Sequence, residues 1–419
     1  MKYRVAVDTG GTFTDVVVAD DDGMLVVGKS PSTPDRSSVG VIKGLADASR
    51  KLTISLEELV AKTSVLIYGT TWATNAIVTG NTAKTAVCVT KGFPDILVYR
   101  QGGKLHPFEM QIDPLVPYIP RRCTFEIAER INSEGGIEYR LDESSVLEAL
   151  KSIKTLGIEA IAVSLIWSIK NPVHELEIGK LIKENLPNIP YTLSHQLNPI
   201  LREYPRTSST SIDASLKPHM QKHLIELQAD LVNSGFGGEL LVSTLSGGVM
   251  HVDDIAERPI YMVKSGPAMA PQAGLAYATA EKFNKDILVV DTGGTTFDVS
   301  LIRTGEVKFT RETWIGPPFY GHNLGLSSVD VRSVGAGGGS IAWIDSGGLL
   351  KVGPQSAGAT PGPIAYGRGG SLPTVTDANV LLGRINPDSI TGSNISANVA
   401  LVRDRISEEI GRPLSLDAE

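Results

Sequence analysis

Two periodicities alternate along this chain, and together they predict an α/β protein. Short apolar runs suited to buried strands occur at 4–7 (Arg-Val-Ala-Val), 64–68, 85–89, 160–165 and 287–290 (Ile-Leu-Val-Val). Between them lie stretches with helical spacing. In 38–51, Val39, Ile42, Leu45 and Ala48 share one face, and 143–156 and 172–186 read as further helices. A long helical stretch over 207–234 should be interrupted at Pro218, because proline has no N–H to donate. Glycine is dense from 335 to 370, yet Ile341, Trp343, Ile344 and 349–352 keep the region apolar, which predicts turns between short strands rather than a disordered linker.

One internal repeat organises the pattern. Residues 8–16, Asp-Thr-Gly-Gly-Thr-Phe-Thr-Asp-Val, return at 291–299 as Asp-Thr-Gly-Gly-Thr-Thr-Phe-Asp-Val, identical at seven of nine positions. Each copy follows one of the apolar strands and leads into a second strand. Polar turns then return the chain, Asp-Asp-Asp-Gly at 20–23 before 24–27 and Arg-Thr-Gly at 303–305 before 306–310, so each copy is expected to open a hairpin.

A bend of this composition has chemistry. At Gly10, Gly11, Gly293 and Gly294 no Cβ blocks the approach of an anion to backbone N–H groups, and the hydroxyls of Thr9, Thr12, Thr292 and Thr295 add donors. Asp8 and Asp291, each at a strand end, suit Mg²⁺ held through water, since magnesium keeps several waters and takes few carboxylates. Two such hairpins facing each other would grip the β- and γ-phosphates of ATP and catalyse phosphoryl transfer by positioning and charge neutralisation. Gly337 and Gly338 either approach the nucleotide or let two strands pack without side chains. Pepsin-like proteases also place Asp-Thr-Gly twice, but they follow it with Ser or Thr, whereas Gly11 and Gly294 stand here; the first copy also begins only eight residues into the chain.

Composition narrows the field. With 419 residues the chain can hold two or three domains. A net charge of −7 with scattered Lys and Arg gives no basic face for nucleic acid. No apolar run reaches the roughly 18 residues that span a bilayer, and the start reads as a strand rather than a signal peptide, so a cytoplasmic address is expected. Cys88 and Cys123 are too few for a disulfide framework and too isolated for a zinc motif, which leaves buried, idle thiols.

With both hairpins read, the chain resembles the actin, sugar-kinase and Hsp70 superfamily, and within it the A-type subunits of hydantoinases, oxoprolinases and acetone-type carboxylases. The resemblance rests on 7–15, on Tyr68-Gly69-Thr70-Thr71-Trp72-Ala73-Thr74-Asn75-Ala76, on Lys91-Gly92-Phe93-Pro94-Asp95 and on Arg202-Glu203-Tyr204-Pro205-Arg206-Thr207-Ser208. It continues through Ser265-Gly266-Pro267-Ala268, 291–298, 335–345, 353–370 and Thr374-Val375-Thr376-Asp377-Ala378-Asn379. It implies a two-lobed, ribonuclease H-like α/β fold with ATP and Mg²⁺ as cofactors. A first lobe at 1–190 would carry the first hairpin, a connecting α/β segment would follow at 191–285, and a second lobe would begin at 286–419. The implied activity is phosphorylation of an amide or enolate oxygen, after which a B-type partner subunit hydrolyses or carboxylates the activated species. A gated activator or scaffold is the alternative, one form of which shares an iron–sulfur cluster across a dimer. The segment around Thr70 resembles the superfamily's lobe junction, where Thr71 and Asn75 would orient the acceptor; a loop satisfying its own backbone is the other reading. Family members normally run some hundreds of residues past Asn379, so the second lobe is expected to be incomplete here and completed by another chain, or the chain to be a fragment.

Weaker signals remain. His219 and His223, one helical turn apart, have the spacing of a two-histidine metal site but read as a solvated helix face. His106, His195 and His322 fall among loop residues; His195 with Arg202, Glu203 and Arg206 forms either a substrate or bicarbonate site or an ion network. Asp253-Asp254 reads as a helix cap.

Overall fold

The computed structural model describes residues 2–10, 13–33, 36–102, 108, 111, 115–283, 285–358, 360–389 and 397–419. The chain divides into two compact units, Met1–Ala268 with Phe309–Val329, and Met269–Lys308 with Asp330–Glu419.

The first unit contains two sheets. Strands β1 (Tyr3–Thr9), β2 (Phe13–Ala19) and β3 (Leu25–Pro31) form an antiparallel meander. The Asp20 carboxylate fixes its second turn by accepting from the Asp22 and Met24 N–H groups at 3.0 and 2.8 Å. After helix α1 (Ser37–Leu52), strand β4 (Thr63–Thr70) returns parallel to β1. Helix α2 (Trp72–Val78) leads to strand β5 (Thr85–Thr90), which opens a second sheet with β6 (Thr124–Ile127), β7 (Ala160–Ser164) and β8 (Tyr191–Leu193). That sheet is all parallel, and β5 and β7 are buried at every position. Their continuous apolar runs follow from coverage on both faces, with helices α3 (Glu143–Thr155) and α4 (Val173–Asn185) beside them. Strands β9 (Glu239–Ser243) and β10 (Val249–His251) complete the first sheet in the order β10-β9-β4-β1-β2-β3. An antiparallel meander extended by parallel strands next to β1 is the expected ribonuclease H-like arrangement. The segment Phe309–Val329 adds two short antiparallel pairings, Phe309–Thr310 with Ser328–Val329 and Trp314–Ile315 with His322–Asn323.

Between the sheets runs helix α5 (Glu203–Asn233), and here the expected interruption does not occur: Pro218 lies inside a continuous helix. Every residue from Tyr204 to Lys217 is buried, so packing from both sides holds the helix through the one backbone bond that proline cannot make. The same all-round burial leaves the first half of the helix without an amphipathic stripe, whereas Met220, Leu224, Leu227 and Leu231 form one along the second half. Buried charges are matched in place: Asp213 accepts from the Thr192 hydroxyl at 2.7 Å and the Ile260 N–H at 3.2 Å, and the Lys217 ammonium, 3.9 Å away, donates to the Tyr191 carbonyl. Asp253 and Asp254 lie in the first turn of Val252–Glu257, not at its cap; His251 occupies the cap and accepts from the Asp253 N–H.

The second unit continues helix α6 (Ser265–Ala280) and holds strands β11 (Ile287–Thr292), β12 (Phe297–Arg303), β13 (Glu306–Val307) and β14 (Val331–Val334). β12 pairs with β11, β13 and β14, all antiparallel. The strand expected over 306–310 is split: Glu306–Val307 pairs in this sheet, and Phe309–Thr310 belongs to the first unit. A separate ribbon of β15 (Ser340–Ile344) and β16 (Leu350–Ser356) and a small core of Ile364, Ala365, Val380 and Val402, beneath helices α7 (Val375–Leu381) and α8 (Val399–Ile406), complete it.

Candidate functional site

Each repeated motif folds into the same local structure. In the first unit Asp8 pairs with Asp15 and Thr9 with Thr14, and the bend closes through a hydrogen bond from the Gly10 N–H to the Phe13 carbonyl at 3.0 Å. In the second unit Asp291 pairs with Asp298 and Thr292 with Phe297, and the Gly293 N–H donates to the Thr296 carbonyl at 2.9 Å. Gly11 and Thr12, expected at the first bend, lie outside the described residues, as does His106.

Around the first bend, β1 and β4 end side by side, with Thr9 paired to Thr70. The Thr71 N–H donates to the Thr9 carbonyl at 3.3 Å, so helix α2 starts against the hairpin. Asn75, exposed, donates to the Thr71 hydroxyl at 3.2 Å. The Thr74 hydroxyl accepts from the Lys264 N–H at 2.9 Å, tying α2 to the run before Ser265. Thus Thr71 and Asn75 stand beside the first hairpin. The buried hydroxyls without a partner among the described residues include Thr9 Oγ1, Ser243 Oγ and Ser265 Oγ. Asp15, opposite Asp8, holds the Lys29 ammonium at 2.9 Å.

The second bend is supported from its own unit. The Gly338 and Gly339 N–H groups donate to the Gly293 and Gly294 carbonyls at 2.9 and 2.7 Å. A Cβ on Gly337 would lie 2.7 Å from the Thr295 backbone and 2.8 Å from the Gly293 carbonyl oxygen, so this glycine lets the 337–339 run lie directly on the bend. Thr376 secures the run through bonds from its N–H and hydroxyl to the Gly338 carbonyl, and buried Asp377 anchors that turn by accepting from Ala365 and Thr374. Asp298 is 8 % exposed with one carboxylate oxygen unpartnered among the described residues.

Several sequence candidates are engaged elsewhere. His219 and His223 do not form a solvated face: both pack on the Trp72 ring, His223 nearly parallel to it with centroids 5.8 Å apart. The Tyr68 hydroxyl meets His223 Nε2 at 3.1 Å, and burial holds the imidazole below its usual pKa. Nor does His195 join Arg202 and Arg206 in an anion site. It bonds buried Glu175 at 2.6 Å, while the Arg206 guanidinium donates to the Leu165 and Ile200 carbonyls. Cys88 and Cys123 are both buried, and burial pushes the Cys88 thiol up to about 12, which leaves neither available to a cluster shared between chains. No group of three or more metal-ligating side chains occurs among the described residues, and no helix of theirs is long and apolar enough to cross a membrane. A pocket of about 970 Å³ beside Lys183, Tyr191 and Gln221 shares no residue with the hairpins. Of its lining cations, Lys217 lies near Asp213, Arg258 3.5 Å from Asp254 and Lys180 3.8 Å from Glu184, while Lys183 lies over the Tyr191 ring.

The sequence model of the hydantoinase/oxoprolinase N-terminal region matches residues 4–186, and that of hydantoinase/oxoprolinase matches residues 206–419. The chain belongs to this family. The caprolactamase subunit alpha of Pseudomonas jessenii is 36 % identical over 421 residues, covering 100 % of this chain and 60 % of the relative. The crystal structure of the ATP-dependent caprolactamase from that organism superposes with a TM-score of 0.83 at 35 % identity, again over 100 % of this chain and 60 % of that one. A nucleotide-free acetone carboxylase, solved in connection with ATP-dependent acetone carboxylation, gives 0.82 at 26 % identity with the same coverage. This chain therefore spans about 60 % of the length of these relatives, and its fold is α/β and actin-like.

Asp15 and Ser243 were not singled out from the sequence. Asp15 carried a signal, because its mate Asp298 recurs at the same place in the repeat. Ser243 carried none; only the register of β9 against β4 brings it to the site.

Proposed function

We propose that this chain is a subunit of a hetero-oligomeric, ATP-dependent enzyme that phosphorylates a carbonyl or amide oxygen, and that a B-type partner hydrolyses or carboxylates the activated product. The observation carrying this reading is the duplicated bend, with the same closing hydrogen bond and the same aspartate pair in each unit. The residues fit Mg²⁺–ATP: glycine backbone at both bends accommodates phosphate, buried Thr9 and Asp298 retain unused hydrogen-bonding capacity, and Asp8 and Asp291 supply carboxylates for a hydrated cation. When bound, Mg²⁺–ATP supplies the transferable phosphoryl group and neutralises its charge. The N–H groups at the bends, with Thr292 and Thr295, bind phosphate oxygens; Thr71 and Asn75 orient the acceptor. The ATP-dependent caprolactamase among the relatives favours an amide oxygen as that acceptor.

Asp8→Asn and Asp291→Asn test the reading in the assembled enzyme. Each should lower Mg²⁺-dependent ATP turnover on the order of a hundredfold with little change in melting temperature. Undiminished turnover in both variants sinks it.

A further inference from the structure

Helix α2 opens beside the first bend with Trp72, and the indole of that residue is held in an aromatic frame. From the α5 side His223 stacks on it with ring centroids 5.8 Å apart and planes 20° apart, and His219, one turn earlier, meets it at 6.1 Å and 53°. His223 is fixed in turn. Its Nε2 lies 3.1 Å from the Tyr68 hydroxyl and 3.3 Å from Ser37 Oγ, both on buried residues. Burial lowers the pKa of this imidazole, which favours its neutral form. The indole is thus restrained, yet it stays partly exposed. Trp72 and Asn75 stand three residues apart on α2, so the ring borders the exposed amide that donates to the Thr71 hydroxyl.

The charged groups that flank this frame are turned to one another. Arg36 donates to the Asp230 carboxylate through two bonds of 2.9 and 2.6 Å, and Lys222 lies 4.0 Å from Glu226. Lys264, whose N–H meets Thr74, is engaged as well. A carboxylate laid on Trp72 would lose hydration without meeting a counter-charge, whereas a hydrocarbon ring is stabilised by covering an aromatic face. We propose that Trp72 is the specificity-determining surface of the acceptor site: an uncharged amide rests its hydrocarbon body on this ring, and an amide that carries a carboxylate is rejected. The inference rests on the reading that Thr71 and Asn75 orient an amide oxygen for phosphorylation, and it adds the class of amide.

The test uses the chain in the assembly in which it occurs, with three probes: 2-pyrrolidone, ε-caprolactam, and 2-pyrrolidone-5-carboxylate, which is the first ring with a charge added. Acceptor-stimulated ADP release should favour 2-pyrrolidone over its carboxylate by about tenfold or more in kcat/KM. Binding is read separately by tryptophan fluorescence: ε-caprolactam should quench the native protein, and the quench should be missing from Trp72→Phe. Trp72→Leu keeps apolar volume beside α5 but not the flat face. It should raise KM for ε-caprolactam about tenfold and for the smaller 2-pyrrolidone about threefold. Trp72→Phe, which restores an aromatic face, should bring both KM values to within about threefold of native. A merely structural role for the ring would not grade KM by ring size. Preference for the carboxylate overturns the proposal, as does a fluorescence that no neutral lactam changes or an equal rise in KM for both rings in Trp72→Leu. Loss of turnover in Asp8→Asn with unchanged KM in Trp72→Leu would remove this inference and leave the Mg²⁺–ATP reading standing.

Discussion

The two hairpins share seven of nine residues, one register and one bend hydrogen bond, yet their surroundings differ. Val5 and Val7 on β1 are 2 % and 4 % exposed, whereas their counterparts on β11, Leu288 and Val290, are 64 % and 54 % exposed. The covered faces are also opposite. In the first unit Val5 and Val7 join a core with Val41 and Leu45 of α1 and Leu216 of α5, and Ala6 is left exposed. In the second unit the residue equivalent to Ala6 is Val289, and it lies against Gly274 of α6. Hairpin conformation is therefore a local property, set by the glycine bend and the antiparallel ladder, while burial is supplied by distant elements.

Charge insertion gives the largest expected contrast. Val7→Lys would place an ammonium in a closed apolar core and should cost about 4 kcal/mol or more, enough to unfold the first unit. Val290→Lys should cost less than about 0.5 kcal/mol in this chain, because the position already meets solvent. Denaturant melts of both variants check this; equal destabilisation would mean that β11 is covered as β1 is.

A smaller contrast comes from the glycines that meet the bends. Gly337→Ala drives a methyl into the Thr295 and Gly293 backbone and should cost about 2 kcal/mol, with faster amide exchange at Gly338 and Gly339 and none of the change near Gly10. Among the described residues Gly10→Ala meets the Phe13 carbonyl oxygen alone, at 3.4 Å, and should cost under about 1 kcal/mol. If the two cost the same, the 337–339 run is not a support of the second bend.

Why the repeat was legible and its surroundings were not follows from these same residues. Alternation, turn chemistry and the Gly-Gly bend are encoded within about ten positions, so both hairpins, α1, α3 and the strands at 85–90 and 160–164 follow from sequence. Pro218 misled because a local rule lost to burial on every side of α5, a fact spread over two sheets. His219 and His223 misled for a related reason: their spacing is helical, but Trp72, nearly 150 residues earlier, decides what they touch. Gly337 and Gly338 sit between two readings in the sequence; the bond from the Gly338 N–H to the Gly293 carbonyl and the close approach of Gly337 to the Thr295 backbone lay both on the second bend.

The smallest expected contrast is in pH. All seven histidines belong to the first unit, and neither 269–308 nor 330–419 contains one. His322 packs edge-on against Tyr118, centroids 5.0 Å apart, and burial followed by the Arg100 charge pushes its pKa down to about 4. His223 is shifted in the same direction by burial. A base whose folded pKa is depressed binds fewer protons folded than unfolded. Its contribution is full above the unfolded pKa, roughly 6.5, and is lost as pH falls toward the folded value near 4. Asp213, whose carboxyl burial raises, works in the opposite sense, so the net slope of the native protein mixes the two. Comparing the native protein with His322→Gln isolates the histidine. Between pH 7.5 and 5.0 the native first unit should lose on the order of 1 kcal/mol more than the variant, less than the full shift implies because His322 keeps some contact with solvent. Hydrogen exchange resolved by unit should show the loss in β4, β9 and α5 and not in β11, β12 or β14. An equal loss in both units would mean that their stabilities are coupled, and the contrast between the two hairpins would then describe burial without describing independent folding.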